Sequence, residues 1–180
     1  KMRVSLFEDF KEEKWPSMER YGQKLYRALA SGYQSDQFNY RTPPFFQFLS
    51  PLQSVFKQIP YLRFWGNDLF FNRYITYPIF SKIKQGDINH ILDHSYAHLV
   101  CHLNPKKTIV TCHDLIPMKL HNPALIKDKY LKLFESTVRC LGKAGHIIAD
   151  SQATKMDLVE KLKIRAEQIS VISPGIDSDY

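Results

Sequence analysis

Residues 111 to 117, TCHDLIP, run a strand-like segment straight into a histidine–aspartate pair. An imidazole at the end of a buried strand can hydrogen-bond a substrate hydroxyl or carry a proton near neutral pH. His113 is therefore the candidate catalytic residue. Asp114 beside it could fix the imidazole's orientation or accept from a hydroxyl; its other reading is a turn cap. A second stretch, NHILDHSYAHLVCH at 89 to 102, places His90, His94, His98 and His102 four residues apart. On one continuous helix they would share a face and suggest a metal. Yet Asp93 ends an apolar strand-like run and Ser95 is a good N-cap, so the stretch divides into strand, turn and short helix. A zinc ion needs ligands converging at about 2.1 Å, which such a break does not supply. No metal is expected. Asp93, His94 and Ser95 are expected at a cleft, and only His98 and His102 on a common helix face.

The elements that must position these residues alternate. RVSLF (3 to 7), QFNY (37 to 40), INHILD (88 to 93), TIVTC (108 to 112), HIIAD (146 to 150) and ISVI (169 to 172) read as short strands. Between them lie helical patterns: one after Ser17 as N-cap and closed by Gly32, one over 67 to 85 that Pro78 should kink or split, and SYAHLVCHL at 95 to 103. Two more run from Pro123 to about Leu141, with Leu131, Phe134 and Val138 on one side, and over 151 to 162 behind a Ser151 cap. Asn67 or Asp68 would cap the second and Gly86 stop it. Strands alternating with helices predict a parallel α/β sheet with helices on both faces, in one domain over 1 to 180.

In open parallel sheets, ligands bind beyond the carboxyl ends of the strands. That rule gathers Glu8 and Asp9, Ser17 and Met18, Asp93 and His94, His113 and Asp114, Asp150 and Ser151, and Ser173 to Gly175 around one cleft. Ser17 and Ser151 open helices whose N-termini favour phosphate or another anion.

The net charge of +7 also suits an anionic partner. The basic residues are scattered rather than clustered, which argues against nucleic acid. No apolar run approaches the roughly 18 residues of a membrane span. Three cysteines, Cys101, Cys112 and Cys140, form no CxxC pair and read as reduced, small, buried residues of an intracellular protein. Residues 33 to 80 hold most of the aromatic side chains, with basic residues in and just after them. Three uses stay open for this stretch: core packing, an acceptor platform, or contact with a membrane surface.

Three motifs in order, SMERYGQKLYRAL, TIVTCHDLIP and IIADSQATKMDLVEKL followed by ISVISPGID, resemble the retaining glycosyltransferases of family 4. The resemblance implies the N-terminal, Rossmann-like, doubly wound half of a GT-B fold, which mainly binds the acceptor. It implies a C-terminal donor-binding domain outside this chain, so that this part alone should not transfer sugar. His113 matches the family histidine near the reacting sugar, Asp114 its neighbour, and Ser151 the serine opening the cleft-facing helix. Gly175 and Asp177 match the turn before the crossover to the second domain. Where the family commonly has two glycines beside the donor phosphates, this chain has Ser17 and Met18, whose side chains would restrict backbone approach. The resemblance further implies a nucleotide-sugar donor, a saccharide or lipid-linked acceptor and no metal or other cofactor. The unpaired cysteines lead to an expected cytoplasmic protein, and the aromatic and basic residues of 33 to 80 leave peripheral contact at the inner face of a membrane as an open alternative. A non-enzymatic Rossmann-like binding or regulatory domain is the competing reading, and a nucleic-acid-binding domain a weaker one.

Overall fold

The structure, a computed structural model, describes residues 1–33, 35–47, 68–119 and 128–175. Six strands form one parallel sheet: β1 (Val4–Phe7), β2 (Phe38–Arg41), β3 (Ile88–Ile91), β4 (Thr108–Cys112), β5 (His146–Ala149) and β6 (Ile169–Val171). Their order is β2-β1-β3-β4-β5-β6. The chain leaves β1 toward one edge and returns beyond it, so the connections diverge between β1 and β3, where an open sheet presents its crevice.

Register explains the core. Phe7 pairs with Ile91, Ile91 with Val110, Val110 with Ile147, and Ile147 with Ile169. This row points to one face and is buried from end to end. Tyr77, Tyr96, Leu99, Val138, Leu141 and Leu158 pack into the same core. Full burial of each such side chain is worth about 1.5–3 kcal/mol, so this face carries most of the fold's stability. The opposite face carries Leu6, His90, Thr111 and Ile148, by the alternation of side chains along a strand. Helix α1 (Pro16–Gly32) lies against it.

Alpha1 comes close because residue 22 is glycine. A Cβ there would sit 2.6 Å from the Tyr40 hydroxyl and 3.0 Å from Leu92. Its start differs from expectation. Pro16 takes the first position and Trp15 precedes it, with no capping side chain. Ser17 is one residue inside the helix and cannot be the cap; proline there costs nothing because that N–H lacks a partner in any helix. Gly32 is the last helical residue, and extended Tyr33 ends the helix.

The helical region after 67 does split, just ahead of Pro78. It runs as α2 (Asp68–Phe71), a wider π turn (Asn72–Thr76) and α3 (Tyr77–Lys84). Pro78 has no N–H to offer and its ring crowds the carbonyl four residues back, so the backbone widens there. Asn72, fully buried, bonds the backbone of Phe46 and Asp68 and fixes the turn. Alpha3 stops at Lys84, two residues before Gly86, whose place is set by the Arg3 carbonyl 2.6 Å from a Cβ position there.

The 95 to 103 helix and the burial of the cysteines are corrected, and the helix expected from Pro123 is met over its described part. Residues 95 to 103 form a tighter 3₁₀ segment (His94–Cys101), capped by Asp93 and not Ser95. At three residues per turn, positions four apart do not share a face. His98 is half-buried against the Arg73 carbonyl, whereas His102 is exposed. Of the expected helix from Pro123, residues 123 to 127 lie outside the described residues. The rest is α5 (Asp128–Val138), passing into a 3₁₀ turn (Arg139–Lys143). Leu131 and Val138 are buried and Phe134 packs against the core, as the spacing predicts. A short helix, α4 (Ile116–Lys119), follows β4, and α6 (Gln152–Leu162) follows β5. Of the cysteines only Cys112 is buried; Cys101 is exposed and Cys140 intermediate.

Candidate functional site

The strand ends bring the predicted residues into two neighbouring groups. The first is a polar knot across β1, β3, β4 and β5. His113, one residue beyond β4, directs Nδ1 to Asp150 Oδ2 at 2.6 Å and Nε2 to the Leu92 carbonyl at 3.0 Å. Its ring stands edge-on to Tyr21, 5.1 Å between centroids. Burial works to lower its pKa, but the bond to Asp150 and the charges of Asp150 and Asp93 outweigh that and raise it. Both partners are acceptors, so keeping both bonds takes two ring N–H groups, which only the imidazolium carries. It fastens the ends of three strands and places a positive charge at the sheet's carboxyl edge.

The residue that orients His113 is Asp150, not Asp114. Asp114 accepts from the Ile116 N–H at 2.9 Å and caps α4. Ser151 caps α6 as expected, accepting from the Thr154 N–H at 3.1 Å, and Thr154 in turn donates to the His113 carbonyl at 3.1 Å. The α6 N-terminus is thereby tied to the same knot.

Asp93 and His94 are both buried. Asp93 accepts from the Ser95 N–H and hydroxyl at 2.9 and 2.8 Å and faces His94 Nδ1 at 3.0 Å. The His94 ring meets Phe134 edge-on, so it packs under α5 and does not line the open cleft. Asp93 also bonds Asp9, at the end of β1. Burial, then the charges and bond of Asp93 and Glu13, push the Asp9 carboxyl up to about 9. Asp93 is held well below the usual range, burial notwithstanding, by His94 and the Ser95 N–H. At neutral pH the pair shares one proton, carried on Asp9, where the connections of β1 and β3 diverge. Asp9 Oδ2 has no hydrogen-bond partner.

The second group lines a cleft of about 810 Å³ between α1 and the face of β5 and β6. Ser17 and Gly175, both expected there, meet in it with Arg20, Tyr21, Lys24 and His90. Met18 is half-buried and does not line it. A side chain at 175 would meet nothing within 4 Å, so the glycine leaves room without being required by packing. Asp177 lies outside the described residues. Tyr21 joins the two groups. Its hydroxyl meets Thr111 Oγ1 at 3.2 Å, and the same oxygen meets His90 Nε2 at 2.8 Å. Burial and the His113 charge push His90 down to about 4, so it is neutral at pH 7.

Sequence reasoning placed Asp150 and Asp9 at the cleft without giving either a partner. Tyr21 and Arg20 were visible only as members of a helix; the available signal was the three- and four-residue spacing that joins Ser17, Arg20 and Lys24, and Tyr21, Leu25 and Ala28, along α1. Among the described residues no group of histidine, cysteine and carboxylate side chains is placed to hold a metal ion, and no helix is long and apolar enough to cross a membrane.

A parallel six-stranded sheet with its polar residues gathered at the carboxyl edge defines a Rossmann-like α/β domain, the architecture of the N-terminal half of a GT-B fold. The sequence pattern of Glycosyltransferase Family 4 matches residues 18–180. The chain belongs to that family, and its domain is of the glycosyltransferase type. No curated protein matches the chain in sequence.

Proposed function

We propose that this domain is the acceptor-binding half of a retaining glycosyltransferase. The whole protein would move a sugar from a nucleotide-sugar donor to a saccharide or lipid-linked acceptor, without a metal, and a donor-binding domain outside this chain would close over the carboxyl edge of the sheet. The observation that carries this reading is the cleft beside α1, where family membership and chemistry coincide. Its rim carries Arg20 and Lys24, and the first turn of α1 adds N–H groups that favour an anion. Tyr21 and Leu25 supply an apolar wall for a sugar or base. Ser17, facing the cleft, can donate to a phosphate oxygen, although its side chain keeps the backbone farther away than glycine would.

In this account Arg20, Lys24 and Ser17 hold the charged part of the ligand. The cationic His113, fixed by Asp150 and Leu92, keeps the strand ends rigid and sets a positive field that favours negative charge developing on a leaving phosphate. Glycosyl transfer should therefore depend on Arg20 more through KM, and on the His113–Asp150 pair more through kcat. Isothermal titration of the chain with nucleoside diphosphates tests the first part. Arg20→Ala should weaken binding about tenfold, the loss of one charge-assisted hydrogen bond of roughly 1.5 kcal/mol. Unchanged affinity would remove Arg20 from the site.

A membrane contact has its own support. Ile75, Ile79 and Ile83 are 38%, 58% and 72% exposed and follow one another at helical spacing, with Lys82 and Lys84 beside them. Such a strip suits an anionic lipid surface. Phe45, by contrast, packs edge-on against Phe10 at 5.8 Å, and Tyr77 is fully buried, so these aromatics belong to the core. Flotation with vesicles rich in anionic lipid should fall strongly in an Ile79→Glu, Ile83→Glu double variant. Undiminished flotation would exclude this face.

A further inference from the structure

Cys101 ends the 3₁₀ segment that begins at His94, and Cys140 lies in the turn after α5. They are 39 residues apart in the chain, yet their Sγ atoms are 3.4 Å apart. Cys101 is exposed and Cys140 intermediate, so one sulfur is open to solvent and the other sits directly behind it. Lys143 Nζ lies 3.6 Å from Cys101 Sγ. Cys140 Sγ donates toward the Ser136 carbonyl at 3.7 Å. We propose that Cys101 and Cys140 are a reversible dithiol–disulfide site whose oxidant is a small-molecule disulfide.

The geometry needs little change. A disulfide holds its sulfurs about 2.05 Å apart, so they must approach by little more than about 1 Å, within reach of side-chain rotation. The two thiols have distinct parts. Cys101, the exposed sulfur, is the one a small disulfide reaches first and is the nucleophile, with the Lys143 ammonium 3.6 Å away to face the incoming charge. Burial and the adjacent Cys101 push Cys140 up to about 11, so it waits as a thiol. The Cys101 thiolate attacks one sulfur of the small disulfide, forming a mixed disulfide and releasing one thiolate. Cys140 then loses its proton and attacks Cys101 Sγ, expelling the second. The two cysteine sulfurs lose two electrons and two protons, and the small disulfide gains them as two thiols. Cys112, buried and pushed well above the usual thiol range, takes no part.

The bridge would close the loop from 101 to 140, which contains β4, His113 and α5. It would tie the segment that starts at His94 to the end of α5, and so clamp one side of the polar knot. The thiol site does not depend on the glycosyltransferase reading and can be tested without it.

The reduced 180-residue chain is equilibrated with glutathione and its disulfide at graded ratios, quenched with acid, and analysed by intact mass and peptide mapping. The wild type should lose about 2 Da, the two hydrogens of one intramolecular disulfide, with a Cys101–Cys140 cross-linked peptide and Cys112 still free. Its thermal midpoint should rise by several degrees and return with dithiothreitol. Cys140→Ser should stop at a glutathione adduct on Cys101. Cys101→Ser should form an adduct on Cys140 at least about tenfold more slowly. A stable adduct without a bridge in the wild type, a bridge through Cys112 or between chains, or full retention of thiols in excess glutathione disulfide would overturn the proposal.

Discussion

His113 has both ring nitrogens committed, to Asp150 and to the Leu92 carbonyl. That constrains what it can do. In the proposed site it would act by charge and position, because a role in proton transfer would require the Leu92 bond to open. Its titration, followed by the ring proton resonances, should lie above that of a free histidine and should fall in Asp150→Asn, which also loses about 2 kcal/mol of stability as a charged hydrogen bond disappears. An unmoved titration would show that Asp150 does not orient it. The Asp9–Asp93 pair makes the opposite demands of two similar residues. Asp9 is neutral in the fold, so its raised pKa costs stability progressively as pH rises from about 4 toward 9, where the unfolded carboxyl is already ionised. Asp9→Asn should therefore be tolerated, and its advantage over the wild type should grow between pH 6 and 8. Asp93→Asn takes away one of the two carboxylate oxygens that accept from the Ser95 N–H and hydroxyl and should cost about 1–3 kcal/mol. Denaturant midpoints for both variants across that range check the assignment; equal losses would contradict it.

At the scale of elements, the close seat of α1 is the most exposed part of the account. Gly22 sits against the Tyr40 hydroxyl, which cannot swing away because it donates to Glu8 at 2.6 Å. Gly22→Ala should then cost about 1–3 kcal/mol from overpacking, and in Tyr40→Phe part of that cost should be relieved. Acid sensitivity belongs here as well. Burial pushes His90, on β3, down to about 4 and His98, in the 3₁₀ segment, to about 3. Both stay neutral in the fold while the unfolded chain binds protons below about pH 6.5, so stability is full above that pH and is lost as pH falls. Each contributes a loss of about 2 kcal/mol between pH 6.5 and 5. Urea midpoints that do not fall over that interval would show that these rings are not sealed from water. Five short β-branched or apolar runs, with the more polar QFNY as the sixth, made the strands legible, and the strand-end rule made their carboxyl edge the place to look. The sequence could not show which carboxylate meets His113. Asp114 is adjacent in the chain and Asp150 is 37 residues away, and only the β4–β5 register brings the second alongside. Ser17 and Ser95 were each misplaced as caps by two positions, because Pro16 at the first helical position and Asp93 as a cap compete for the same turns with stronger local chemistry.

At the scale of the molecule, one face of the sheet holds the packed core and the other holds α1 and the cleft. On the proposed reading, stability and ligand binding fall on opposite sides of the sheet, with the polar knot at the edge between them. That arrangement predicts that substitutions in the cleft wall, such as Arg20→Ala, leave the thermal midpoint nearly unchanged, whereas Ile147→Ala in the core row should cost about 2–5 kcal/mol. The central claim is that the carboxyl edge of this family 4 domain is one wall of a glycosyl-transfer site. Its most direct test is nucleoside diphosphate release from a panel of nucleotide-sugars, with and without saccharide and lipid-linked acceptors. The protein tested should carry this domain together with the donor-binding domain expected to accompany it, as wild type and as His113→Ala. The account predicts acceptor-dependent release that falls by about 100-fold or more in His113→Ala, with circular dichroism unchanged. Wild-type turnover in that variant would contradict it.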